Sequence, residues 1–418
     1  MASLSNDVVI IGAGLGGAAL ALALHQKSIP CRIYESRTED AKGLGSGVTL
    51  TPNGLRVLDR LGVYERIAPL GYQSESFTLR NAEGHTIRNV HLAAEQLYGY
   101  KTCRVYRQLL LDELRALLKE RNIPVEYGAK FEEVQEETTD SVTFRINGRT
   151  ERASLLIGVD GIHSAVRKYL TLDLPAYTGI ACVYGHVPTD SISWLKEEPD
   201  KGCTIQDEPG ALFMIPEDTA GSDLMVGRQF SYPSLDRAGW EALGADKDAL
   251  CGLLCKGYNK WHDPAKELLD QLSTRKEGLQ LWPFQRMPKM ERWSSPTGRV
   301  IITGDAAHAM PPSSGQGVNQ AFEDGYTLAL VLSSLPPKMK LIEVLDYWHR
   351  LRQVRIDAIL DMAYETDIMR LPKDEREVFE QKWGLNGDRK LQPREDYLKW
   401  LFAPGTEDDI TAWMTAHS

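Results

Sequence analysis

Short apolar runs that stop at a glycine or a carboxylate recur along the chain, and stretches with helical apolar spacing lie between them. Residues 7–11 read as a buried strand that runs into Gly12-Ala13-Gly14-Leu15-Gly16-Gly17. The Ala/Leu-rich pattern at 18–26 predicts a helix, and Pro30 closes that unit before a second strand at 31–34, which finishes at Glu35. A helix is predicted at 52–61, with Thr51 or Asn53 to cap it and Gly62 to end it. Residues 77–90 alternate as a hairpin about the turn Asn81-Ala82-Glu83-Gly84. Leucines at 109, 110, 114, 117 and 118 make 107–119 an amphipathic helix. Strands follow at 125–134 and 141–146, with Asn147-Gly148 as a turn, and the buried run from 153 ends in Asp160-Gly161 before a helix start bearing Ser164 and Arg167.

The texture changes at Pro175. Alternating runs at 181–187, 211–215 and 224–230 predict an antiparallel sheet with one wet or pocket-lining face, and helices are expected at 246–258 and 264–272. Trp282-Pro283 leads back to a strand at Val300 that stops at Gly304-Asp305. Small residues and prolines then carry the chain, without helix, to Ser314. Gly315, Gln316 and Gly317 open a helix from about Val318. A long helix with Arg350, Arg352 and Arg355 is predicted at 341–369, and the remainder is polar and helix-like.

Three of these strand ends carry chemistry. At the first, Gly12 allows a tight turn, Gly14 lets a pyrophosphate approach the backbone and Gly17 lets helix and strand pack closely. Glu35, 23 residues after Gly12, is placed to take both ribose hydroxyls of an adenosine. A carboxylate there repels a 2′-phosphate, so the resident nucleotide is NAD or FAD and not NADP. At the second strand end, Asp160 is either a helix cap or a ligand. At the third, Asp305 stands ready for sugar-like hydroxyls, and the bare amides of the next helix face a negative group. The glycines at 43, 45 and 47 are either a close backbone approach to a ligand or a flexible loop. A doubly wound sheet brings strand ends to one edge, so one elongated ligand with a second polyol chain accounts for all three.

Composition narrows the partners. The chain has 418 residues, 42% apolar and 25% charged, the balance of a globular protein with two or three domains. A net charge of −10 without basic runs argues against nucleic acid or an anionic membrane as partner. The six cysteines lack the spacing of a metal set, so no metal is expected and free thiols in a reducing compartment are the default. No signal peptide or membrane-spanning run is evident, which places the protein in the cytoplasm.

The glycine fingerprint with Glu35, the Asp160-Gly161 pair with Arg167, and the stretch from Gly304 to Gly317 followed by Glu323-Asp324 together resemble the class A flavoprotein monooxygenases. This is the para-hydroxybenzoate hydroxylase superfamily, and the likeness is greatest to its salicylate-hydroxylase-like branch. It spans about residues 7–330, with one departure: Gly325 stands where the family usually has Ala. The resemblance implies an α/β chain with a Rossmann-like FAD-binding domain (1–174 and 286–340), an inserted antiparallel-sheet substrate domain (175–285, with 63–100 contributing) and C-terminal helices (341–418).

Bound FAD and transient NADPH or NADH are implied as cofactors. Dioxygen would add to the reduced flavin at C4a, and the hydroperoxide would pass one oxygen to an aromatic or polycyclic substrate. Gly12, Gly14, Leu15, Gly17, Gly47, Val48, Gly315, Gly317 and Val318 would line the cofactor. Glu35 would hold the adenosine ribose, Arg107 the pyrophosphate and Asp305 the ribityl chain, with Asp160 between the cofactor and the nicotinamide route. Tyr184, His186 and Pro312 are expected at the substrate. Arg228 would face an acidic or phenolate substrate or form a surface salt bridge, and His308 would fix its loop. Epoxidation, dearomatisation or rearrangement in secondary metabolism would need the same flavin set, and a non-catalytic escort protein would not need it intact. Ala211 to Pro216 lacks the W-x-W-x-I-P of flavin halogenases. A monomer or homodimer is expected.

Overall fold

The runs at 8–11, 31–35, 125–127, 155–158 and 300–302 meet in one parallel sheet. In the computed structural model, which describes residues 7–41, 45–90, 95–196, 201–336, 338–376, 378 and 395–417, its strand order is Val300–Ile302, Leu155–Gly158, Val8–Ile11, Cys31–Glu35, Val125–Tyr127. Val8 pairs with Leu155 on one side and Cys31 on the other, and Leu156 pairs with Val300, all in parallel. The inner strands Val8–Ile11 and Leu155–Gly158, with Val300–Ile302, are covered on both faces and apolar without alternation, while Cys31–Glu35 and Val125–Tyr127 are only partly buried and carry Arg32 and Glu126. The helices Leu15–Gln26 and Gly317–Ser333 pack together closely enough that a Cβ on Gly325 would sit 3.2 Å from the Leu20 Cα. Glycine at the family's usual alanine position therefore marks a tight helix crossing.

A mixed sheet of seven strands holds the second layer, in the order Gln280–Arg286, Ala176–Pro188, Asp223–Ser231, Gly210–Pro216, Cys203–Asp207, Phe77–Arg80, Thr86–Val90. Its back face packs on the helices Lys247–Leu254 and Asp263–Thr274 through Val183, Leu212, Val226, Leu250 and Leu268. Its front face looks toward the parallel sheet. A small sheet of Gly47–Leu50, Thr102–Tyr106 and Tyr72–Ser74 lies between.

Several expectations are corrected. Residues 305–308 form a one-turn helix and Pro312–Ser314 a 3-10 turn, so the stretch to Ser314 is not free of helix. Trp282 and Pro283 lie inside the strand Gln280–Arg286, and proline is tolerated there because that strand is at the sheet edge. The helix expected at 246–258 stops at Leu254, ahead of Gly257 with φ +78°. The Gly47–Leu50, Tyr72–Ser74, Thr102–Tyr106 and Cys203–Asp207 strands were not predicted. Gly43 lies outside the described residues. No described helix is long and apolar enough to cross a membrane.

The long helix Leu341–Arg370 is tied to the nucleotide layer by buried charge. Glu323 accepts from Arg352 Nη1 and Arg355 Nε at 2.6 Å each, and from Asn53 Nδ2 at 2.6 Å. Asp324 accepts from Arg352 Nε at 2.7 Å, the Thr303 hydroxyl at 3.0 Å and the Gly304 amide at 3.1 Å. The acidic pair is thus a structural clasp whose every oxygen is satisfied, the condition under which buried charge is tolerated. Burial alone would raise the Glu323 carboxyl, but Arg355 and Arg352 outweigh it and hold it at about 2. Because the folded value is depressed, its stabilisation is full above the ordinary value of 4.5 and is lost as pH falls toward about 2. Glu323→Gln should lower stability at neutral pH and flatten the acid limb of a urea-unfolding series across that window. An acid limb parallel to wild type would contradict the clasp.

Candidate functional site

The parallel strands all deliver their carboxyl ends to one edge, and the loops there open into a cavity of about 1820 Å³ that continues to the front face of the large sheet. Gly12 turns the chain at φ +107°, and a Cβ on it would lie 2.6 Å from the Val159 carbonyl oxygen. Gly17 packs beneath the turn, its notional Cβ 1.9 Å from the Gly12 oxygen, and does not line the cavity. At Gly14 and Gly315 a Cβ would meet nothing within 4 Å, so backbone is presented to open space. Leu15 lines the cavity beside them.

Each predicted carboxylate lines this same cavity. Glu35 is drawn back to the glycine turn, accepting from the Ala13 amide at 2.7 Å and the Arg37 amide at 2.8 Å. Asp160 accepts from the Ala165 amide at 2.7 Å and the Val166 amide at 3.2 Å through Oδ2, while Oδ1 is buried without a partner. It is therefore both cap and candidate ligand. Burial pushes its carboxyl up, against the pull of the Ser164 hydroxyl and those two amides. Arg167 does not reach the cavity: it is buried and donates to the carbonyls of Ala306 at 3.0 Å and Ile162 at 2.7 Å. Asp305 and Arg107 are both exposed into the cavity and attract each other across it.

The helix Gly317–Ser333 starts without a side-chain cap, so its first amides point at the cavity unopposed. Gly317, Val318, Gly315 and Pro312 line the wall there, with Gly47 and Val48 opposite. Gly47 is pinned by Glu217, which accepts from its amide at 2.7 Å and is ion-paired to the buried Arg104. His308 is buried, with Nε2 2.5 Å from Asp324 Oδ2 and its ring 4.9 Å from Trp293, so it anchors the loop. An orphaned carboxylate oxygen, two glycines facing open space and a bare helix start suit a dinucleotide with a second polyol chain.

Strand register sorts the substrate residues. Tyr184 faces the cavity with Phe213, Trp282 and Phe284. His186, two residues on, falls outside the cavity wall and stands 3.8 Å from Glu217 Oε1. Arg228 pairs in register with Val183, not Tyr184, and so points to the opposite face. It is 1% exposed, donates to the carbonyls of Leu254 at 2.9 Å, Lys256 at 2.7 Å and Pro209 at 2.6 Å, and lies over Trp261. Both the substrate and the surface-salt-bridge readings of Arg228 are therefore corrected: it satisfies a helix C-terminus inside the back core. Burial pulls its guanidinium down to about 10.

Gln229, one residue on, faces the cavity in its place, and the long helix adds Met369 and Arg370. These were missed because no periodicity shows where a helix end will point. The alternation around 224–230 did hold the Gln229 signal, once Tyr184 set the parity.

A nucleotide-binding parallel sheet, this continuous cleft and a facing substrate sheet define a class A flavoprotein monooxygenase. Residues 5–242 and 266–363 match the FAD binding domain family, and the chain belongs to it. It is 30% identical over 335 residues to the 3-amino-4-hydroxybenzoate 2-monooxygenase of Streptomyces cremeus, which spans 79% of each chain. To the 6-hydroxynicotinate 3-monooxygenase of Pseudomonas fluorescens it is 26% identical over 339 residues, 80% of this chain and 84% of that one. The fold is shared with HpxO of Klebsiella pneumoniae, solved with FAD and uric acid (TM-score 0.74, 23% identity, 97% and 96% of the two chains). It is also shared with CtdE, solved with FAD and a substrate (TM-score 0.78, 18% identity, 99% and 98%). The chain is an FAD-dependent monooxygenase of the aromatic-hydroxylase type.

Arg228→Met would strand three buried carbonyls and should cost about 2–4 kcal/mol of stability, read as a lower unfolding midpoint. KM for an aromatic substrate should stay within about twofold, since the side chain is outside the cavity. A raised KM at unchanged stability would restore the substrate reading.

Proposed function

We propose that this chain hydroxylates a small, already hydroxylated aromatic ring, using NADH or NADPH and dioxygen. The observation carrying this reading is that Glu35, Asp160, Asp305 and the start of the helix Gly317–Ser333 border the same cavity as Tyr184, Phe213, Trp282 and Phe284. The substrates in the two relatives' names are themselves hydroxylated aromatic rings.

FAD, when bound, supplies the electrons from NAD(P)H and activates dioxygen. Glu35 accepts from the adenosine ribose, Arg107 neutralises pyrophosphate charge and Asp305 holds the ribityl hydroxyls. The amides of Gly317 and Val318 and the positive end of their helix favour negative charge on the ring system beside them. Asp160 keeps one oxygen without a partner, which a hydroxyl of cofactor or reductant would satisfy. Tyr184, Phe213, Trp282 and Phe284 stack against a flat substrate and exclude water from it, and Pro312 closes the side nearest the cofactor loop. His186, held off the cavity by Glu217, has no part in this scheme.

On the same reading residues 1–174 and 286–340 serve the nucleotide, 175–285 with part of 63–100 serve the substrate, and 341–418 brace the two. The protein works in the cytoplasm, as a monomer or homodimer.

Purified protein should be yellow, release FAD on denaturation, and oxidise NAD(P)H faster when a hydroxylated aromatic from a substrate panel is added. The product should carry one added oxygen by mass. A colourless protein, or NAD(P)H oxidation indifferent to every aromatic tested, would sink the reading.

A further inference from the structure

The last residue of the long helix places a cation over the substrate sheet, where the buried Asp367 attracts it without closing an ion pair with it. Arg370 lines the cavity from above the front face of the large sheet, its guanidinium 5.4 Å from the centre of the Phe213 ring. Its one hydrogen bond is long, from Nη1 to Gln229 Oε1 at 3.3 Å. Among the described residues it makes no ion pair. Asp367, one turn earlier, is buried and is taken up by Gln229, whose Nε2 donates to it at 2.6 Å, and it lies beside the Ser313 hydroxyl of the cofactor loop. Gln229 thus stands between carboxylate and guanidinium, and the remaining donors of Arg370 face the cavity.

The other arginines near this half are committed or remote. Arg104 donates to Thr49 Oγ1 at 3.0 Å and is paired with Glu217. Arg88 also lines the cavity, but from the outermost strand of the sheet, three strands away from the one that carries Phe213. A guanidinium with unused donors, held against an aromatic wall, is costly unless a ligand completes it, and a planar carboxylate matches its fork in two parallel hydrogen bonds.

We propose that Arg370 is the specificity residue that receives a carboxylate on the aromatic substrate, with Gln229 holding its fork and Phe213 beneath it. This rests on the monooxygenase reading for the identity of the ligand as substrate, but not for the anion subsite itself.

The test uses FAD-loaded protein titrated with benzoate and with benzamide, the uncharged isostere, followed by the flavin spectrum and tryptophan fluorescence. Wild type should bind benzoate more tightly than benzamide. Arg370→Gln should raise the benzoate Kd about 10- to 100-fold and leave the benzamide Kd within about twofold. Arg370→Lys, which keeps the charge but not the fork, should fall between. An unchanged benzoate Kd in Arg370→Gln, or benzamide binding as tightly as benzoate to wild type, would overturn the proposal. Benzoate binding that depends on Arg370, with no aromatic compound stimulating NAD(P)H oxidation, would leave the anion subsite standing and overturn the monooxygenase reading instead.

Discussion

In a parallel sheet every strand must finish at the same edge, and here that geometric constraint decides where chemistry is possible. Ile11, Glu35, Gly158 and Ile302 end their strands side by side. Each hands the chain to a turn carrying glycine or a carboxylate, so residues almost three hundred positions apart in sequence line one crevice. Handedness of the crossovers puts the helices on the faces, leaving their amino ends at the same edge. A ligand lying along it meets backbone amides, helix dipoles and carboxylates in turn.

The crevice is held open by charge buried elsewhere. Glu323 and Asp324 look in the sequence like part of the ligand-binding run, but they face away from the cavity and grip Arg352 and Arg355. Asp324 also takes the Gly304 amide and stands against His308, so the turn that presents Asp305 is fixed from behind. The same grip places the far end of the long helix over the substrate sheet, where Arg370 lines the cavity and Asp367 lies buried against Gln229. One buried cluster therefore sets both the cofactor turn and one wall of the substrate site.

The nucleotide layer was legible because its rules are local. A glycine that must turn, a strand that must be apolar and a carboxylate at a fixed remove can all be read from neighbouring residues. The substrate side was less so, because it depends on register between strands distant in sequence. A shift of one position sent Arg228 into the back core and brought Gln229 forward. Short strands such as Gly47–Leu50 and Thr102–Tyr106 carry too few residues for a pattern, and their pairing joins segments more than fifty positions apart in sequence. Arg370 had no local sign at all: its role comes from where a thirty-residue helix happens to end.

The central claim is that separate strand ends grip a single flavin dinucleotide from opposite ends. It is tested most directly by measuring FAD, FMN and AMP affinities of the deflavinated protein in Glu35→Ala and Asp305→Ala. Glu35→Ala should weaken FAD and AMP but spare FMN, and Asp305→Ala should weaken FAD and FMN but spare AMP. Loss of all three ligands together in a folded variant, or FAD affinity untouched by either change, would contradict it.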